Sequence, residues 1–135
     1  MLVKRLLAVS IVFVVACKSP TPDEQMNSIQ SWLATSGMVG EAWLRHTTPD
    51  DYSRQTLELS HKTLLQLSTE LLKSPPPQLD SAMLDSVLTK SRGHIDQLAR
   101  LIEAKDAPDF ARELDSLRAD VKIVHQLADS IKPKQ

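Results

Sequence analysis

Eight prolines cut this chain into four proline-free blocks of about 25 residues each, and that partition limits the fold more than any other feature. Pro20 and Pro22, Pro49, the run Pro75-Pro76-Pro77, Pro108 and Pro133 stand at the block edges and never inside one. Proline lacks an N–H and locks φ, so it is tolerated in a helix's first turn and disruptive in its interior. The residues beside the prolines agree. Thr21-Pro22-Asp23-Glu24 spells N-cap, N1, N2 and N3 of a capping box. Thr48-Pro49-Asp50-Asp51 repeats the pattern with a shorter acid, and Asp106-Ala107-Pro108-Asp109 is a third version. Acids gather in first turns and bases in last turns (Arg45 and His46, Lys73, Lys105, Lys132), which complements the helix dipole at both ends.

Within the blocks the apolar spacing is helical. Phe110, Leu114, Leu117, Val121, Val124, Ala128 and Ile131 alternate steps of four and three, a period no strand can use. Leu84, Leu88, Ser91, Ile95, Leu98 and Ile102 form the third stripe. The second is Leu57, Ser60, Leu64, Leu67 and Leu71, widened by Leu65 and Leu72, with enough Ser, Thr and Gln alongside to make it narrow. The first is less regular: Met26, Ile29, Leu33, then Gly37 and Gly40, then Trp43 and Leu44. Two glycines in one helix permit either close packing or a bend. Short connections between helices of similar length predict an antiparallel, up-down-up-down four-helix bundle, all-α, with helices over about 22–46, 49–73, 78–105 and 107–132.

The segment before the bundle reads as an address. Lys4 and Arg5 precede an apolar run from Leu6 to Ala16, the layout of a signal peptide and too short for a stable membrane span. The run ends at Cys17, the one cysteine in 135 residues, after Val14-Val15-Ala16 and before Lys18-Ser19-Pro20-Thr21-Pro22. This resembles a bacterial lipobox. The resemblance implies cleavage of residues 1–16, acylation of Cys17 and a short linker over 17–21 leading into the bundle at 22–135. Several acyl chains, at about 0.8 kcal/mol per buried CH2, would hold such a protein firmly on a membrane. Cleavage removes Lys4 and Arg5, so 16 basic residues become 14 against 17 acidic ones, and the net charge goes from -1 to -3. Neither value favours binding to a phosphate backbone, so nucleic acid is not an expected partner. Lys18 stands where an inner-membrane retention signal would place Asp, which points to the outer membrane, facing the periplasm. About five residues link Cys17 to the first helix and span at most about 15 Å. The start of helix 1, the Pro75-Pro76-Pro77 turn and the C-terminus are therefore expected to share the lipid-facing end.

Chemistry is sparse. A lone cysteine excludes an internal disulfide and thiolate-rich zinc sites. Glu58-x-x-His61 is a single Glu-x-x-His, whereas a carboxylate-bridged di-metal bundle needs two, so it reads as a solvated face. His46 falls in a last turn, where its ring is expected among helix-end carbonyls. His94, beside Gly93 and two residues before Asp96, could ligate something, although a place at the border of the core is the plainer reading. No nucleophile with an evident base is present, so an enzyme is not expected.

His125 differs, because it lies at the edge of the fourth stripe at the same end of the bundle as Met26 in helix 1. With Asp23-Glu24-Gln25-Met26, Ile29, Leu33, Gly93-His94-Ile95-Asp96 and His125-Gln126, the chain resembles the small periplasmic four-helix-bundle cytochrome b family. The resemblance implies a non-covalent haem b with Met26 and His125 as axial ligands, and hence an electron carrier. Trp32 and Trp43, three turns apart on one face of helix 1, are either core or a partner-binding pair. The leading expectation is a non-enzymatic, lipid-anchored envelope protein that binds a protein partner in a chaperone-like or accessory role. A structural or immunity-type lipoprotein has the same sequence signature, and haem binding is the alternative.

Overall fold

The computed structural model describes residues 19–132 as four helices, α1 (Pro22–Leu44), α2 (Asp50–Lys73), α3 (Ser81–Glu103) and α4 (Ala107–Asp129). The segment expected to be a signal peptide, and Cys17, lie outside the described residues. Neighbouring helices pack in a closed ring, α1 on α2, α2 on α3, α3 on α4 and α4 on α1, with only slight contact across the α1/α3 diagonal. Cross-helix pairs show the antiparallel sense of α1 and α4. Trp43 meets Phe110 at a ring separation of 4.5 Å, Glu41 meets Arg118 at 3.2 Å, and Gln30 meets His125 at 3.4 Å. Early α2 reaches late α3 through Arg54 and Glu103, 3.7 Å apart. The fold is the expected four-helix bundle.

Most of the helix ends have an identifiable cause. Thr21 and Glu24 complete the capping box in both directions, at 3.2 and 3.4 Å. Asp106 accepts from the Asp109 N–H at 3.1 Å. The proposed cap at Thr48 is not made: Pro49 takes the N-cap position without a side-chain bond, and Thr48 Oγ1 instead lies 2.8 Å from Ser53 Oγ. Helix α3 begins at Ser81 and not at residue 78, because Asp80 accepts from the Met83 N–H at 3.0 Å. Leu79 and Leu84, the two positions a hydrophobic staple uses, are both buried there. Helices α1 and α3 end a residue or two earlier than expected, in matched Schellman turns. His46 and Lys105 take left-handed φ values of 59° and 54°. The bonds Thr47 N–H to Ala42 O and Asp106 N–H to Leu101 O, at 2.9 and 3.1 Å, close the two turns. His46 thus reaches a helix-end carbonyl through its backbone, donating to Trp43 O at 3.0 Å.

All six expected positions of α3 are buried. In α2 the buried face runs Ser53, Leu57, Ser60, Leu64, Ser68 and Leu71. Leu65 is 43% exposed, and Leu67 is only partly covered. The extra four-residue step from Leu64 to Ser68 is the drift of a 3.6-residue helix away from a strict heptad. The buried hydroxyls are satisfied locally: Ser60 donates to Thr56 O at 2.9 Å and Ser91 to Val87 O at 2.8 Å. Such bonds offset the cost of burying a hydroxyl among leucines. Elsewhere Ser36 is buried where Gly37 was placed, Asp120 is buried beside a half-covered Val121, and Leu44 and Ile131, at the ends of their stripes, are only partly covered.

Thr21, Pro22, Pro76, Gln78 and Ile131 line one hollow of about 490 Å³, so the start of α1, the proline turn and the last described residues share an end. Trp43, His46, Asp50, Lys105 and Ala107 line a hollow at the other. No helix among the described residues is long and apolar enough to cross a membrane.

Candidate functional site

Helix α1 is chemically unlike the other three. From Gln25 to Gly40 sixteen consecutive residues include no Asp, Glu, Lys, Arg or His, whereas no other helix goes more than seven without one. A helix facing water on one side normally spends that side on charge. Here the exposed positions are Asn27, Ser31, Ala34 and Met38, the last 71% exposed. Beside them a mainly apolar groove of about 480 Å³ runs between α1 and α4, lined by Gln30, Ala34, Val121, Lys122, His125 and Gln126. The two glycines of α1 play different parts. A Cβ on Gly40 would stand 3.0 Å from Leu114 Cδ1 and 3.4 Å from the Phe110 ring, so this glycine lets α1 and α4 approach closely. A Cβ on Gly37 would meet nothing within 4 Å.

The tryptophans face inward to different degrees. Trp43 is 8% exposed, tilted 46° against Phe110, and its indole N–H donates to Asp50 Oδ1 at 2.8 Å. It ties the α1–α2 turn to the start of α4. Trp32 is half-buried against the core. Neither offers a bare indole face, and Met38 is the large apolar side chain that α1 does present.

Met26 and His125 point different ways. Met26 is 1% exposed in the core. The His125 side chain is 62% exposed, with Nδ1 3.4 Å from Gln30 Oε1 and Nε2 3.6 Å from Asp129 Oδ2. Axial ligation needs both groups directed at one iron in a slot the width of a porphyrin. As placed here, one ligand faces packed core and the other faces solvent, so the pair does not fit a haem.

His94 is half-buried at the α3/α4 seam. Its partners are not Asp96, which pairs with Arg100 at 2.9 Å, but two acids of α4. Glu113 Oε1 lies 2.6 Å from Nδ1, and Asp120 Oδ2 lies 3.3 Å from Nε2. Burial pushes the Asp120 carboxyl above its usual range, opposed by the charges of His94 and Lys90 and by the neighbouring Ser91 hydroxyl. Among the described residues no group of three or more His, Cys, Asp or Glu is arranged to hold a metal. In this cluster the reason is visible, since the two carboxylates address opposite ring nitrogens and do not converge. Glu58 of the Glu-x-x-His motif is engaged by Arg54 at 3.2 Å. Glu113 and Asp120 were missed in the sequence, where their seven-residue spacing is the one sign that they share a face of α4.

Comparison with protein families, curated proteins and solved structures returns no match.

Proposed function

We propose that this chain is a lipid-anchored accessory protein of the bacterial cell envelope that binds another protein through the uncharged outer face of α1, in an escort or chaperone-like role, without catalysis. The observation that carries the reading is the charge-free stretch from Gln25 to Gly40, with Met38 exposed beside an apolar groove. Exposed apolar surface next to a groove is a common mark of a protein-binding site. A segment with a mainly apolar contact face suits the uncharged side of α1, where a charge would lose hydration without an ion pair in return, while Lys122 on the α4 edge of the groove can meet an acidic group at the rim of that segment.

The anchoring half of the proposal rests on the sequence around Cys17, and its outer-membrane, periplasm-facing placement rests on Lys18. Mass spectrometry of the mature protein is expected to find acylated Cys17 at the N-terminus, and Cys17→Ser is expected to release the protein from the membrane fraction. The binding half is tested by photo-cross-linking residues incorporated in turn at Ala34, Met38 and, as a control on α4, Ser116. A discrete adduct is expected from the two α1 positions only, and Met38→Lys should abolish the adduct formed at position 34. Equal labelling at all three positions, or none at any, refutes the role assigned to α1.

A further inference from the structure

The His94 imidazole has a carboxylate at each nitrogen, Glu113 at 2.6 Å from Nδ1 and Asp120 at 3.3 Å from Nε2. A neutral imidazole carries one N–H, and an ionised carboxylate carries no proton at all. With His94 neutral and both acids ionised, one N–H serves two acceptors, and the other nitrogen turns a lone pair toward a carboxylate oxygen. The shorter contact takes the proton at Nδ1. Asp120 Oδ2 is then left over, and it is in fact buried with no hydrogen-bond partner. Its surroundings offer little relief. The residue is 9% exposed, and the neighbouring Ser91 hydroxyl, which eases its charge, also lies within donating distance of Val87 O at 2.8 Å. The charges that Asp120 senses, His94 and Lys90, both belong to α3. On the other flank of α4, Glu41 of α1 is occupied by Arg118. One further proton resolves the conflict wherever it resides. An imidazolium donates from both nitrogens, or a neutral Asp120 donates its O–H to Nε2.

We propose that His94, Glu113 and Asp120 form a proton-dependent clasp across the α3/α4 seam, closed while the three groups share two protons and loosened when one of the two is lost. Burial moves the Asp120 carboxyl in the same direction, toward taking up a proton more readily than an exposed carboxylate does. The sign of the pH dependence follows. In the unfolded chain a histidine gives up its proton above a pH of about 6.5, while the clasp keeps it. Above that pH the folded state binds one proton more than the unfolded state, so stability falls as pH rises, until the clasp itself is emptied. The folding equilibrium constant should drop by up to about tenfold per pH unit in that window. Below it, down to the carboxylate range, the two states bind equal numbers and the clasp contributes no slope.

The test is denaturant unfolding of the mature protein over a pH series from about 6 to about 9, beside Asp120→Asn and His94→Gln. An asparagine amide donates to Nε2 without an added proton, so the fall with pH should flatten in Asp120→Asn, and in His94→Gln as well. His46, His61 and His125 remain in every variant, and their contributions cancel in the comparison. A parent protein whose pH dependence matches that of both variants overturns the proposal. Should either variant fail to fold, nitrogen and carbon NMR of the parent at a pH of about 7.5 decides the matter. An imidazolium at His94 or a protonated Asp120 supports the clasp, and a neutral ring beside an ionised Asp120 refutes it.

Discussion

Gly37 and Gly40 lie three residues apart on one helix, and alanine should stabilise the protein at the first position but not at the second. Replacing glycine with alanine inside a helix stabilises it by about 1 kcal/mol through backbone entropy and propensity. At Gly37 nothing lies within 4 Å of the new methyl, so Gly37→Ala should gain nearly all of that. At Gly40 the methyl would stand 3.0 Å from Leu114 Cδ1 and 3.4 Å from Phe110 Cε1 and Cζ. Both neighbours are fully buried, and the Phe110 ring is backed by Trp43 at 4.5 Å, so neither has free space to retreat into. Overpacking of a filled core costs about 1 to 3 kcal/mol, which cancels or exceeds the propensity gain. The expected contrast between the variants is therefore about 1 to 3 kcal/mol. In a domain of this size that corresponds to a difference in melting temperature of roughly 4 °C or more. Thermal unfolding followed by far-ultraviolet circular dichroism on the mature protein measures it. If Gly40→Ala stabilises as much as Gly37→Ala, the close approach of α1 and α4 at that level is wrong.

His46→Gly and Lys105→Gly should each stabilise the bundle by about 0.5 to 1 kcal/mol, because both side chains now sit in left-handed turns that glycine adopts without strain; a chemical-denaturation midpoint that falls in either variant contradicts the turn geometry. Trp43→Phe keeps a ring against Phe110 but loses the bond to Asp50, so it should cost about 1 kcal/mol. Haem added to the mature protein should give no Soret band, since Met26 faces the core and His125 faces solvent. A band abolished by His125→Ala would show that α1 and α4 open to admit the porphyrin.

The bundle was legible because proline position and apolar period are local properties, and in α1 and α4 the capping chemistry acted where it was written. What escaped was either a matter of one residue's phase or of cross-helix register. Stepping α2 by strict heptads puts Leu67 inward with Leu65 widening the stripe; in the folded helix Ser68 takes the inward position, Leu67 is only partly covered and Leu65 turns outward. Thr48 carries the hydroxyl of a cap, yet Ser53 competes for it one turn later. His94 shows the second limit. Its nearest acid in the chain is Asp96, but residues two apart on a helix point to different sides. Glu113 and Asp120 reach it only because the three-residue link 104–106 folds α4 back along α3, and no spacing within the chain reveals which turn of one helix faces which turn of the other.

Folding alone does not account for the outer face of α1. Asn27, Ser31, Ala34 and Met38 lie outside the core, and none of them is an endpoint of an inter-helix hydrogen bond or ion pair among the described residues. Substitutions at exposed sites of this kind usually change stability by no more than about 0.5 kcal/mol. A lysine at Met38 would exchange exposed apolar surface for a hydrated charge at little cost to the bundle. Helices α2 to α4 place charge at short intervals along their water-facing sides, so an uncharged side is not a requirement of this architecture. Binding can therefore be separated from stability at these positions. Ala34→Arg and Met38→Lys should leave the unfolding midpoint almost unchanged while removing the cross-linked adduct, and a variant that lost both together would assign the face to folding instead.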